Sequence, residues 1–141
     1  MAVRTIEVVP TGAALGAEIR GVDLRSIDAG AFAAIYQSWL DHAVVLFRDQ
    51  QLADEDLIAF SRRFGALDQA PIQENGRRFV DGFPEIYVVS NVLENGVAIG
   101  SLGAGEAVWH TDMSYCPIRR RRARSTRSRS RRPVATRASA R

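Results

Sequence analysis

The sequence predicts a mainly β protein with flanking α-helices. Two observations carry that expectation. Four short runs rich in β-branched residues, Thr5–Val9, Leu15–Val22, Ala43–Phe47 and Ile86–Asn91, are each bounded by Pro, Gly, Asn or Asp, as strands are. Two longer stretches instead repeat their apolar residues at spacings of three and four, the period of a helix with one buried face.

The elements follow in order. Thr5–Val9 enters a turn at Pro10-Thr11-Gly12, and Leu15–Val22 places Leu15, Ala17 and Ile19 on one side, so the two runs pair as a hairpin. From Ala31 to His42, Phe32, Ile35, Tyr36, Trp39 and Leu40 form the apolar face of a helix, with Asp28 placed to cap its first amides. Ala43–Phe47 reads as a short buried strand. Asp54-Glu55-Asp56 opens a second helix, where carboxylates meet the positive end of the helix dipole. Leu57, Ile58, Phe60, Phe64 and Leu67 supply its apolar face, and Arg62, Arg63 and Gly65 supply its stop. Residues 70–82 lack periodicity and read as a loop. Ile86–Asn91 is a strand, Glu94-Asn95-Gly96 a turn, and Val97–Gly105 a glycine-rich connection to a strand holding His110 and Asp112. About five strands are expected in all.

Composition bounds the function classes. At 141 residues, with 46% hydrophobic and 25% charged residues, one globular domain is the natural reading. The net charge of +3 conceals a segregation: residues 1–117 hold all 16 acidic residues and 8 arginines, whereas residues 118–141 hold 11 arginines and no acid. The first part is therefore net −8 and the second net +11. The single cysteine, Cys116, excludes an internal disulfide framework and fits a reducing cytoplasm. The opening residues lack an apolar signal core, and no window reaches membrane-span length, so no membrane partner is expected.

The chemistry concentrates at Trp109-His110-Thr111-Asp112-Met113. An imidazole and a carboxylate two residues apart on an extended backbone share one face. Such a pair could be a surface hydrogen bond, or two of the three ligands in a 2-His-1-carboxylate site for ferrous iron. The only other histidine, His42, ends a predicted helix, where it complements the negative end or packs under the next strand. Cys116 reads as a small packed residue, since no neighbouring base would make it a nucleophile. Trp39 reads as core. Asn91 either caps a turn or reaches a pocket from its strand.

Three pieces in order, Trp39-Leu40-Asp41-His42-Ala43-Val44-Val45-Leu46-Phe47-Arg48-Asp49-Gln50, then Phe60-Ser61-Arg62-Arg63-Phe64-Gly65, then Trp109-His110-Thr111-Asp112, resemble the N-terminal part of the taurine catabolism dioxygenase (TauD/TfdA) family. The resemblance covers residues 1–117. It implies a double-stranded β-helix of the jelly-roll, clavaminate synthase-like kind, here partial, with the closing strands missing, because a jelly roll needs eight strands. It further implies an Fe(II)- and 2-oxoglutarate-dependent dioxygenase that takes dioxygen and a small organic substrate, with His110 and Asp112 as metal ligands. A distal histidine and a cosubstrate-binding arginine, which the family carries further downstream, have no counterpart here. A truncated chain with weak iron binding and little turnover is the expectation.

Some positions depart from the family pattern. Asp68-Gln69-Ala70-Pro71 stands where the resemblance would place a sulfonate-contacting histidine, which argues against taurine as substrate. Glu106 replaces an asparagine that borders the cosubstrate, so no role passes to it. Met113 matches a position that lines the substrate pocket.

Residues 118–141 are almost entirely Arg, Ala, Ser and Thr, without apolar periodicity, and are expected to be disordered. Such a tail could hold nucleic acid non-specifically through counterion release, giving a non-enzymatic alternative for the chain. Yet no aromatic residue is interleaved for base stacking. The residue set is one that GC-rich codons encode, and the shift is abrupt. An out-of-frame origin is the simpler account. The sequence leaves a homo-oligomer open.

Overall fold

The structure, a computed structural model, describes residues 6–73, 75–101, 122–128 and 134–140, the last two stretches by their backbone. The chain divides into two compact units, Met1–Asp56 and Leu57–Arg141.

In the first unit, β1 (Glu7–Pro10) and β2 (Ala17–Arg20) pair antiparallel, Val8 opposite Ile19, as their sequence predicts. Thr11 closes the connecting loop by donating its amide to Gly16 O and its hydroxyl to Leu15 O. Gly16 sits at φ 100°, and a Cβ there would meet the Thr11 side chain at 3.1 Å, so the loop needs glycine at that point. Helix α1 (Ala29–His42) begins where Asp28 accepts a 2.7 Å hydrogen bond from Ala31 N. Its face buries Ile35 completely, and Phe32, Tyr36 and Trp39 form a ladder with ring centroids 6.1 and 5.8 Å apart. Leu40, expected on that face, is exposed.

His42 is the last helical residue. The chain then turns within three residues: Ala43 lies at φ 61°, ψ −33°, Ala43 N donates to Trp39 O, and Val44 N donates to His42 O at 2.7 Å. The same His42 carbonyl accepts from Gly16 N, and Ala17 N donates to Val44 O, so this turn sets the register with β2. The expected buried strand over Ala43–Phe47 is corrected here. Only β3 (Val45–Leu46) forms, parallel to β2, with Val45 beside Ala17 and Leu46 beside Glu18. The turn consumes the first residues of the run. Period-two alternation then puts Leu46 on the face of Glu18, and Val44 and Leu46 remain 52% and 45% exposed. The sheet order is β1-β2-β3.

Gln50 staples the end of this unit. Its Nε2 donates to Val22 O and Arg48 O, and its Oε1 accepts from Leu24 N. On the sheet face that carries Glu18, the Glu18 carboxylate accepts from Arg20 Nε at 2.9 Å and Arg48 Nε at 3.2 Å. The hydrogen bond from Arg20, then that from Arg48, holds the Glu18 carboxyl below its ordinary value.

Helix α2 (Asp54–Arg62) spans the division between the units. Asp56 reaches back to accept from Ala53 N, one half of a capping box, and Leu57, Ile58 and Phe60 are buried as their spacing predicts. Burial, then neighbouring Glu55, pushes the Asp54 carboxyl up. The helix ends through tighter bonds from Arg63, Phe64 and Gly65 amides to carbonyls three residues back, and Gly65 takes φ 140°.

In the second unit, strand β4 (Ile86–Val89) buries Ile86 and Val88. A two-residue hairpin follows, β5 (Leu93–Glu94) and β6 (Val97–Ala98), with Asn95 and Gly96 both at positive φ. Its turn was legible in the sequence and its strands were not. Farther along lie β7 (Arg122–Ser128) and β8 (Val134–Ala140). Within residues 118–141, read from the sequence as lacking an apolar pattern, β8 pairs antiparallel with both β4 and β7, in the order β4-β8-β7. Ladder hydrogen bonds are made by the backbone, which explains why an apolar pattern is not required for pairing. Together the described residues form two three-stranded sheets, a small hairpin and two helices rather than a complete jelly roll.

Candidate functional site

His110, Asp112 and Met113, the residues on which the sequence places the chemistry, lie outside the described residues, as do Glu106 and Cys116. Among the described residues no group of three or more His, Cys, Asp or Glu is placed to hold a metal ion. His42 is half-buried at the end of α1. The structure describes the chain that precedes this segment in sequence, up to Ser101.

The last part of that stretch begins at β4. Asn91 follows the strand and is exposed. Beside it the Ser90 hydroxyl, in a residue only 3% exposed, accepts from Val92 N at 3.1 Å. The hairpin then returns the chain onto the end of β4. Ile99 N donates to Val92 O, and Ser101 donates both its amide, at 3.1 Å, and its hydroxyl, at 3.4 Å, to Val88 O. Between them Gly100 crosses Ser90 so closely that a Cβ would stand 2.6 Å from Ser90 N and 2.9 Å from Val88 O. Both are backbone atoms that cannot step aside, so only glycine fits. Sequence reasoning missed Gly100 and Ser90. Gly100 lay within a stretch read only as a glycine-rich connection, and nothing local distinguishes it from Gly103 or Gly105.

A second organised stretch precedes β4. Ala70 N donates to Pro84 O at 2.8 Å, closing residues 70–84 into a compact loop. Inside it Arg78 donates to Ala70 O and to Gln69 Oε1, and Gln73 Nε2 donates to Arg78 O. Phe79 packs edge-on against Tyr87 of β4, with centroids 4.9 Å apart, and Arg62 pairs with Glu85 at 3.1 Å. Asp68, at the loop's entrance, is buried. The stretch read as an unpatterned loop is therefore fixed by its own side chains.

Comparison with known proteins gives this scaffold its context. The profile of the taurine catabolism dioxygenase TauD, TfdA family matches residues 7–122, which include Trp109-His110-Thr111-Asp112. A (S)-phenoxypropionate/alpha-ketoglutarate-dioxygenase of Delftia acidovorans is 32% identical over 124 residues, an alignment that takes in 81% of this chain and 39% of that protein. Pentalenolactone F synthase of Streptomyces avermitilis is 35% identical over 109 residues, covering 75% of this chain and 35% of the relative. Among solved structures, a taurine dioxygenase from Burkholderia xenovorans superposes with a TM-score of 0.53 at 40% identity over 63% of this chain and 31% of its own. The chain thus spans about two-fifths or less of the length of the relatives it matches. The nucleic-acid reading of the basic tail finds no counterpart among these relatives. With most of its length matched by one family, and with the hairpin and loops described above lying inside that match, the chain belongs to the taurine catabolism dioxygenase TauD, TfdA family.

Proposed function

We propose that this protein is the N-terminal portion of an Fe(II)- and 2-oxoglutarate-dependent dioxygenase acting on a small organic substrate with dioxygen. The observation that carries the reading is that the family match extends through the His110-x-Asp112 pair. The donor chemistry fits ferrous iron: neutral imidazole and carboxylate are the ligand types of a facial-triad site. When bound, the iron would couple oxidative decarboxylation of 2-oxoglutarate to oxidation of a substrate C–H bond.

The chain's own residues have separate tasks in this reading. His110 must be neutral to donate its lone pair, so metal affinity falls as the imidazole protonates, and Asp112 offsets cationic charge. Met113 offers an apolar wall to the substrate, and Asn91 a polar group at the pocket's margin. Gly100 and Ser90 fix the backbone crossing at the end of β4. Within these 141 residues His42 is the only histidine besides His110, and it ends a helix, so this stretch taken alone offers two protein ligands. Metal binding by this stretch alone should therefore be weak and its turnover slight.

The relatives' named substrates include an aryloxy acid, which makes (S)-phenoxypropionate a reasonable first compound to assay. The test pairs anaerobic Mn(II) titration with a succinate-release assay on the parent, His110→Ala and Asp112→Ala chains. Weak binding abolished by either substitution is expected; binding indifferent to both would remove the basis of the assignment. The cytoplasm is the compartment that a single cysteine favours. No helix among the described residues is long and apolar enough to cross a membrane.

Residues 118–141 have, in this proposal, an origin separate from that of the dioxygenase-like residues 1–117, being translated from a shifted reading frame. The composition break after Pro117 supports this. A coding sequence that restores no apolar continuation with a downstream histidine and arginine, in either other frame, would refute it.

A further inference from the structure

Asn-Gly is a dipeptide at which a chain readily reacts with itself, because glycine leaves the following amide nitrogen unhindered by a side chain. That nitrogen attacks the asparagine Cγ: a C–N bond forms, the Cγ–Nδ2 bond breaks, and ammonia leaves a succinimide ring. Water then opens the ring at either carbonyl. Aspartate results, or, where the original peptide bond is the one cleaved, isoaspartate with its backbone routed through Cγ. The balance is asparagine plus water to aspartate plus ammonia, with no oxidant or reductant. The chain holds three asparagines: Asn75 and Asn95 precede glycine, and Asn91 precedes the branched Val92. Local sequence ranks the two Asn-Gly sites alike, and the structure separates them.

At Asn75-Gly76 both reacting groups are engaged. Gly76 N donates to Gln73 O at 2.9 Å, Asn75 Oδ1 accepts from Arg77 N at 2.9 Å, and Gln73 N donates to Arg77 O across the same turn. The nucleophile beside Asn91 is likewise tied, because Val92 N donates to the Ser90 hydroxyl. At Asn95-Gly96, among the described residues, no hydrogen bond engages the Asn95 side chain or Gly96 N. Asn95 and Gly96 are exposed at the tip of β5–β6, and the flanking Leu93 and Val97 are 64% and 68% exposed. Strands of two residues with so little buried surface let the turn open at small cost.

We propose that Asn95 is a site of spontaneous deamidation in the folded protein, and that Asn75, in the same dipeptide, is shielded by the hydrogen bonds of its loop. The product alters the hairpin. Isoaspartate lengthens the backbone inside a two-residue turn, and the register that sets Glu94 opposite Val97 depends on that length. The bond from Ile99 N to Val92 O, which continues the hairpin, is weakened with it. Neither iron nor substrate enters the reaction.

The experiment ages the full chain in neutral and in mildly alkaline buffer, with and without urea, and follows each asparagine by peptide mass mapping. In urea Asn75 and Asn95 should convert at similar rates, both rising with pH as the glycine amide is deprotonated more often, and Asn91 should lag. In the folded chain Asn95 should convert faster than Asn75 by roughly tenfold or more, since Asn75 must first release two hydrogen bonds. Equal rates in the folded chain, a faster Asn75, or no conversion at Asn95 would overturn the proposal. Amide exchange at Ile99 tests the consequence: it should be faster in the aged chain than in the fresh one. Fresh Asn95→Asp gains the charge without the longer backbone and should match the fresh parent. An aged chain with Ile99 still protected, or a fresh Asn95→Asp chain that exchanges as fast as the aged one, would refute the part assigned to isoaspartate.

Discussion

The two three-stranded sheets differ in how far each reaches along the chain for its partners. In β1-β2-β3 the first pair closes across a six-residue loop that Thr11 ties together, and the third strand arrives after a single helix that covers the face it joins. In β4-β8-β7 the first strand waits for a partner that the chain supplies only near its far end. Closing the longer connection costs more chain entropy, although the cost grows only slowly with length. The lesson is that the first sheet is held by side chains local in sequence, while the second depends on backbone pairing and on one close crossing at Gly100.

That contrast can be broken or sharpened by substitution. Ile35→Ala should have the largest effect, about 3 kcal/mol, because it empties a fully buried position beneath the first sheet. Urea unfolding measures it, and a change of under ~1 kcal/mol would mean that this helix face is not what holds β2 and β3. Gly100→Ala should cost about 1–3 kcal/mol, since the new methyl meets Ser90 and Val88 backbone atoms. Its signature is faster amide exchange at Ile99 and Ser101, whose bonds to Val92 O and Val88 O flank the crossing. Asp28→Ala should cost about 1 kcal/mol through the lost cap, with Asp28→Asn largely restoring it.

Glu18→Gln should have the smallest effect, and its pH dependence identifies it. Arg20 and then Arg48 hold the Glu18 carboxyl below its ordinary 4.5 in the folded chain. A depressed folded value contributes stability that is present above 4.5 and lost as pH falls through the folded value. The parent should thus melt slightly higher than the variant at neutral pH, and the gap should close in acid and in high salt.

Much of the first unit was legible because its signals are local. Asp28 before an apolar period announced α1, and Pro10-Thr11-Gly12 announced the hairpin. The overestimate at Ala43–Phe47 arose from a conformation that composition does not encode: alanine at positive φ is uncommon, so a run of five apolar residues read as continuous strand. In the second unit the Asn95-Gly96 turn was legible but β5 and β6 were not, since two-residue strands are too short for a period to register. The partners of β4 were hidden because their side-chain pattern resembles that of an unfolded segment while their backbone forms a ladder. At the candidate site, His110-x-Asp112 is read from sequence alone, while the close crossing of Gly100 over Ser90 is revealed only by contacts.

The three-residue turn at Ala43 ties helix length to strand orientation. Since His42 O is bonded to both Val44 N and Gly16 N, the count of residues between α1 and β3 is locked. Inserting or removing a single amino acid there would exchange the positions of Val45 and Leu46, delivering the wrong side chain beneath the helix. Natural variation in this protein should accordingly tolerate substitution at the junction far more readily than any change in its length.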